Sequence, residues 1–269
     1  MLRLWDATTI YPPPTFDTTR PHPARVRNYL LGGKDSFSVD QESGGGLIMA
    51  LPEIVDVVRA SRQFLVRAVG HLAGEMGVRQ FLDIGPGLPM EDNTHRVAQR
   101  LAPETRVVYV DNDPLVLTHA RALFVSTPEG ATACVDADLH DPAAILRLAG
   151  RTLDFREPVG LVLTAVLGLI PDLDEACSIV HALMAALPSG SYLIAGDGTA
   201  DPSDEQALKI QTLSASYGYR YRTRDGFARF FDGLDILDPG IVAPLSWRNG
   251  QEPDEPLAPI ESCGVGRKP

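Results

Sequence analysis

A doubly wound α/β fold is predicted for this 269-residue chain by two observations. From Arg79 onward, short apolar runs rich in β-branched residues recur: QFLDI, RVVYV, ATACV, VGLVLTAV and SYLIAG. Between them lie helical stretches at residues 93–101, 114–125, 141–148 and 174–187. Strand alternating with helix is the signature of a parallel sheet with helices on both faces. Right-handed crossovers then make the sheet doubly wound.

Ahead of this core, residues 1–20 carry Pro12, Pro13 and Pro14 and read as a flexible arm. Residues 21–77 are expected to form a helical lid. A short helix over residues 24–31 stops at Gly32-Gly33, a left-handed break that glycine permits. In a longer helix Ile54, Val57, Val58, Leu65, Ala68, Val69 and Leu72 recur at three- and four-residue intervals, with Arg59, Arg62 and Arg67 between them. The core is expected over residues 78–248. Its fifth strand is followed by helices at 203–217 and 225–231. Two strand-like pieces, LDILDPGIV and APLSW, then close the sheet, one of them antiparallel. Residues 249–269 read as a flexible tail, because Pro253, Pro256, Pro259 and Pro269 interrupt regular structure.

Composition narrows the function. A formal charge of −11 opposes attraction to phosphate backbones and anionic membrane surfaces, so neither nucleic acid nor membrane is expected as a partner. Only residues 220–229, with four arginines, form a basic stretch. Three cysteines, Cys134, Cys177 and Cys263, lie far apart, are odd in number and form no CxxC pair. That pattern points to free thiols in a reducing cytoplasm and to no metal site. The N-terminus has no apolar run of signal length.

Ligands of such sheets sit beyond the carboxyl ends of the strands, where strand order reverses. The first strand ends in Asp83-Ile84-Gly85-Pro86-Gly87, where Gly85 and Gly87 let a ligand approach the backbone. The second ends in Asp111-Asn112-Asp113, and a carboxylate there suits the two hydroxyls of a ribose. The third ends in Val135-Asp136-Ala137-Asp138-Leu139, a segment suited to receive the exocyclic amine of adenine. Together these suggest a nucleoside. Glu91 and Asp92, just before the next helix, oppose a pyrophosphate and tolerate the cation of S-adenosylmethionine, so NAD is the less favoured cofactor.

The runs PHPARVRNYLLGGKDSFSVDQE, FLDIGPGLPMEDNTHRVAQRLAPETRVVYVDNDPLVLTHARAL and RFFDGLDILDPGIV resemble an actinobacterial family of S-adenosylmethionine-dependent methyltransferases, over roughly Asp17 to Trp247. The resemblance implies a class I, Rossmann-like methyltransferase: a mostly parallel seven-stranded sheet under an N-terminal helical lid. It implies Gly85 and Gly87 at the methionine end of S-adenosyl-L-methionine, with Pro86 and Asn93 as further candidate cofactor-binding positions. Asp111 would lie on the ribose and Asp138 beside the adenine, with Asp83 beneath the glycine turn, and Asn112, Leu139 and Ala165 are further candidate cofactor-binding positions. In the lid, Tyr29, Gly33 and Lys34 would face the cofactor, Lys34 pairing with its carboxylate. The plainer reading of YLLGGKD is a helix stop, a solvated lysine and a packed tyrosine.

The chain departs from the family in two places. Where the fourth strand usually runs into Val-Leu-His, this sequence has Val166-Leu167-Gly168. Where the fifth runs into Ser-His, it has Gly196-Asp197. Asp197 is the candidate general base, with a turn-forming aspartate as the plainer alternative. The acceptor is expected to be a small molecule, for example one of secondary metabolism. The altered acceptor side leaves open a cyclisation or elimination on the same scaffold, or a non-catalytic regulator.

Overall fold

The computed structural model of the protein describes residues 17–249 and 260–269. Most of the expected N-terminal arm lies outside the described residues, as does the first half of the expected tail. Helices α1 (Pro23–Leu30), α2 (Ser38–Ala50) and α3 (Ile54–Gly74) come first. Next come β1 (Gln80–Ile84), α4 (Thr94–Leu101), β2 (Arg106–Asp111), α5 (Pro114–Leu123), β3 (Ala131–Asp136), α6 (Pro142–Ala149), β4 (Gly160–Thr164), α7 (Leu173–Ala186) and β5 (Tyr192–Gly198). The chain continues through α8 (Glu205–Ser214), α9 (Arg224–Ala228), β6 (Asp235–Ile236) and β7 (Glu261–Arg267).

The seven strands stand in the order β3-β2-β1-β4-β5-β7-β6. Strands β1 to β5 are parallel, and β7 runs antiparallel to both β5 and β6. The order reverses between β1 and β4, which places the cleft above their carboxyl ends.

Side chains alternate across the sheet and divide the core in two. Leu82, Ile84, Val108, Val110, Leu161 and Leu163 pack against Ile145 of α6 and Ile179, Val180 and Leu183 of α7. One residue out of phase, Phe81, Val107, Val162 and Ile194 meet Val69 and Leu72 of α3 and Val97 and Ala98 of α4. A third cluster joins Val26 and Leu30 of α1, Leu47 of α2, Val57 and Val58 of α3, Ile210 of α8 and Ile260. The helices before β1 therefore carry a satellite core of their own, seated against the carboxyl edge of the sheet.

Two sequence expectations are corrected. The tail is not irregular throughout: residues 261–267 form β7, inserted between β5 and β6. Glycine at 264 and 266 hides this strand from propensity, yet packing requires it, since a Cβ on Gly266 would lie 2.9 Å from the Phe231 ring. APLSW is a 3-10 turn opened by Pro244 rather than a strand. It is held down by Arg67, whose guanidinium donates to the carbonyls of Pro244 (2.6 Å) and Trp247 (2.8 Å). LDILDPGIV supplies the two-residue β6 and an isolated antiparallel bridge from Val242 to Cys263 of β7.

Candidate functional site

The turn after β1 is built by glycine. Gly85 (φ 69°) and Gly87 (φ 68°) are both left-handed, and the Gly85 N–H donates to Val110 O at 2.8 Å. A Cβ on Gly85 would meet Val166 Cγ2 at 2.6 Å, whereas one on Gly87 would meet open space. Gly85→Ala therefore combines a clash with a disfavoured φ, and is expected to cost at least about 1–3 kcal/mol. Gly87→Ala should cost less, because only the backbone term applies. Paired urea titrations check this, and equal losses would contradict the geometry.

Above this turn lies a cleft of about 310 Å³, a size suited to a nucleotide-like ligand. The ends of β1, β2 and β3 line it through Gly85, Pro86, Gly87, Asp111, Asn112, Asp138 and Leu139. Ala165 and Val166, just beyond β4, form the opposite wall, and Ala165 is strained at φ 55°. Helices α1 and α3 roof the cleft with His22, Arg27, Asn28, Ser61 and Arg62.

Asp111 accepts the Asp113 N–H at 2.9 Å. Burial raises its pKa to about 6, against the pull of the N–H groups of Asp113, Asn112 and Gly87. Asp138 is the opposite case. It accepts the His140 N–H (2.9 Å) and lies 2.7 Å from His140 Nδ1, and Asn112 Nδ2 donates to it at 3.2 Å. Those bonds lower its pKa, the backbone one most. Two carboxylates on adjacent strand ends thus sit in contrasting environments, one half-desolvated and one solvated.

Sequence reasoning missed the cations of this cleft. Arg62 donates to the carbonyl of Asp92 and to Asn93 Oδ1 (3.1 Å), while its buried Nε has no hydrogen-bond partner. Arg27 donates to Ser61 Oγ at 2.8 Å. The apolar stripe of α3 was legible, but not which of its arginines turned toward a ligand.

Several predicted positions act elsewhere. Asp83 shares the face of Phe81, so its side chain enters the α3–α4 layer and accepts Thr94 Oγ1 at 2.6 Å. Full burial there raises its pKa to about 6. Asn93 clamps the glycine loop, accepting from Met90 N (3.0 Å) and donating to Met90 O (2.6 Å). Tyr29 packs into the helical satellite core, over Gly44 of α2. Lys34 is exposed. Gly33 gives room to Asn28, whose side chain would lie 2.3 Å from an added Cβ and accepts the Asp35 N–H at 3.1 Å. YLLGGKD is thus a helix stop clasped by Asn28, and Asn28 itself faces the cleft.

The acidic loop also differs from expectation. Glu91 is exposed, and Asp92 pairs with Arg100 at 2.8 Å, so neither carboxylate lines the cleft. The charge argument against a pyrophosphate does not hold on this geometry.

The chain matches a family model described as S-adenosyl methyltransferase over residues 10–269. It belongs to this S-adenosyl methyltransferase family. A DUF574 family protein of Streptomyces avermitilis is 42% identical, covering 94% of this chain and 99% of its own at a TM-score of 0.88. A candidate methyltransferase of Thermobifida fusca is 37% identical, covering 97% and 99%, at a TM-score of 0.85. An O-methyltransferase family 2 protein of Planctomyces limnophilus shares the fold at 14% identity, covering 90% of this chain and 65% of its own, at a TM-score of 0.51. A search of curated proteins returned no match. The fold is that of class I methyltransferases, the cofactor of this S-adenosyl methyltransferase is S-adenosyl-L-methionine, and its activity is methyl transfer.

The residues present fit that cofactor. The glycine turn leaves room for a ligand against backbone, Asp111 supplies an acceptor, and the orphaned Arg62 Nε is a buried donor awaiting an anionic group such as an amino-acid carboxylate. The two family departures also have a structural reason. The Tyr219 ring fills the space a side chain at Gly168 would need, at 2.7 Å from an added Cβ. Asp197 is fully enclosed. It accepts the N–H groups of Gly168 (2.8 Å) and Gly198 (2.9 Å) and the Tyr219 hydroxyl, and it does not line the cleft. Its carboxylate is a hub joining β5 to its neighbours, so the structure does not support a role as general base.

Proposed function

We propose that the acceptor is a small molecule, and that the cofactor lies along the ends of β1, β2 and β3. In this reading Gly85, Pro86 and Gly87 give it backbone, Asp111 and Asn112 meet its ribose, and Asp138 and Leu139 flank its adenine. Arg62 takes the carboxylate role first expected of Lys34. Bound there, S-adenosylmethionine supplies a methyl carbon activated by its sulfonium. The chain's own contribution is positioning, since aligned reactants recover much of the entropy of a bimolecular encounter.

One observation carries the small-molecule reading. A second cavity of about 60 Å³ adjoins the first and shares Pro23, Arg27 and Ala165 with it. A recess of that size admits a compact group and no folded partner. Three of the four arginines of the basic stretch are engaged within the protein, since Arg222 and Arg224 donate to the carbonyls of Ile170 and Ile241 and Arg229 pairs with Asp174. Among the described residues no helix is long and apolar enough to cross a membrane. Unpaired thiols support a cytoplasmic setting.

Incubation with S-adenosylmethionine and small-molecule extracts should release S-adenosylhomocysteine one-for-one with a product heavier by one methylene. Consumption of cofactor without S-adenosylhomocysteine would favour cyclisation or elimination instead. The helices over the cleft should also move to admit cofactor. Hydrogen exchange across residues 24–40 is expected to slow when S-adenosylhomocysteine binds, while β5 changes little. Exchange indifferent to ligand would reduce α1 to packing.

A further inference from the structure

We propose that Glu261 holds the methyl acceptor, and that this acceptor is a compact aliphatic amine seated against Tyr217, Tyr219 and Tyr221. This rests on the small-molecule methyltransferase reading above and names its substrate class. Glu261 opens β7, the strand that the sequence disguised, and lines the smaller cavity. It is 7% exposed, and its Oε1 has no hydrogen-bond partner. A buried carboxylate oxygen without a donor is costly, and a ligand that brings a donor relieves that cost.

The walls say which donor fits. Gly198 lines the cavity, and a Cβ there would meet the rings of Tyr221 (2.8 Å) and Tyr219 (3.0 Å), so three tyrosines close over the end of β5. The Tyr217 hydroxyl already donates to Ser214 Oγ at 3.0 Å, and that of Tyr219 to Asp197. The site therefore offers tyrosine rings and a carboxylate, a combination that recognises an ammonium group. Apart from Arg27, whose guanidinium donates to Ser61 Oγ at 2.8 Å, the remaining wall is largely aliphatic, from Val26, Leu30, Leu47, Ile54 and Val58. About 60 Å³ is space for roughly four to six heavy atoms, on the measure by which one water needs about 10–15 Å³.

Burial raises the Glu261 pKa to about 7, opposed by Arg27 and Ser61 and assisted by Asp197. A carboxylate in that range can accept a proton from an ammonium far more readily than from an alcohol. Glu261 takes one proton from the bound ammonium and leaves a neutral nitrogen with its lone pair. That pair forms the N–C bond as the C–S bond breaks toward sulfur. The products are a methylated ammonium, a thioether and protonated Glu261, which gives its proton to solvent when product leaves. Ala165 borders both cavities, so the amine approaches from the side of β4.

The test uses the full chain saturated with S-adenosylhomocysteine, whose own binding is measured first by calorimetry. Isobutylamine is compared with isobutanol, and pyrrolidine with cyclopentanol, by ligand-observed NMR titration at pH 7.5. Each amine is expected to bind at least about tenfold more tightly than its alcohol. In Glu261→Gln that preference should shrink to about threefold or less, with S-adenosylhomocysteine affinity within about twofold of the parent. Equal binding of amine and alcohol to the parent protein overturns the inference without any variant having to fold. So does an amine preference that survives in Glu261→Gln. Failure of S-adenosylhomocysteine itself to bind would instead overturn the underlying reading, and this inference with it.

Discussion

Asp40→Ala is expected to cost about 3–5 kcal/mol of stability, through the charge it would leave buried. Asp40 and Arg25 are 0% and 2% exposed and pair at 2.9 Å. The Asp40 carboxylate also accepts the N–H groups of His22 (2.9 Å) and Phe37 (2.8 Å), and so ties the residue before α1 to the residue before α2. Without it, Arg25 keeps only the carbonyl of Arg20 and the face of Phe37. Because α1 and α2 share a core separate from the two sheet faces, the loss should be local. Urea unfolding followed by near-UV signal should show an early transition for the helical layer while the sheet holds. Cofactor affinity should fall with it, since α1 roofs the cleft. The double change Arg25→Met with Asp40→Leu removes both charges and should recover part of the stability, the N–H groups of His22 and Phe37 losing their acceptor in either variant. A single Asp40→Ala variant as stable as the parent would show that the pair does not hold the layer.

Asp40 also shows where sequence reading reached and where it stopped. The five parallel strands were legible because each is an apolar run, the central ones covered on both faces, as at Leu161, Val162 and Leu163, while the edge strand β3 is half-buried. Helix α2 was not legible as a separate element. Gly44, Gly45 and Gly46 each lower helix propensity by about 1 kcal/mol relative to alanine, and tertiary contacts override them. Gly44 is needed because the Tyr29 ring lies 2.5 Å from where its Cβ would be. The strand-end acids at 111 and 138 could be read because topology places any strand end at the cleft. Asp83 could not, because one step of strand phase turned it to the other face. Glu261 was hidden by distance in the chain: it reaches the site only through antiparallel pairing of β7 with β5, opposite Gly198.

Asp111→Ala is expected to weaken S-adenosylhomocysteine binding by about 1–3 kcal/mol, roughly 5- to 150-fold, if its carboxylate accepts from the ribose hydroxyls. The fold should survive, because Asp111 ends β2 at the cleft while the core residues of that strand are Val107 to Val110. The pH dependence supplies a sharper signature. Burial first, and the Asp113 charge second among the raising causes, put the Asp111 pKa at about 6, above the roughly 3.9 of an unfolded chain. A carboxyl group with a raised folded pKa contributes stability that is fully present below about pH 4 and lost as pH rises through about 6. Ligand-free protein therefore carries a desolvated anion at neutral pH, and two donors from a ribose relieve it. Binding that needs the ionised form should be constant above about pH 7 and weaken as pH falls below about 6, approaching tenfold per unit. Asp111→Asn keeps the size of the side chain but cannot ionise, so its weaker binding should lack this dependence between pH 5 and 7. Calorimetry of parent and variant across that range decides the matter. Parallel pH profiles would assign the titration to another group and remove Asp111 from the ribose.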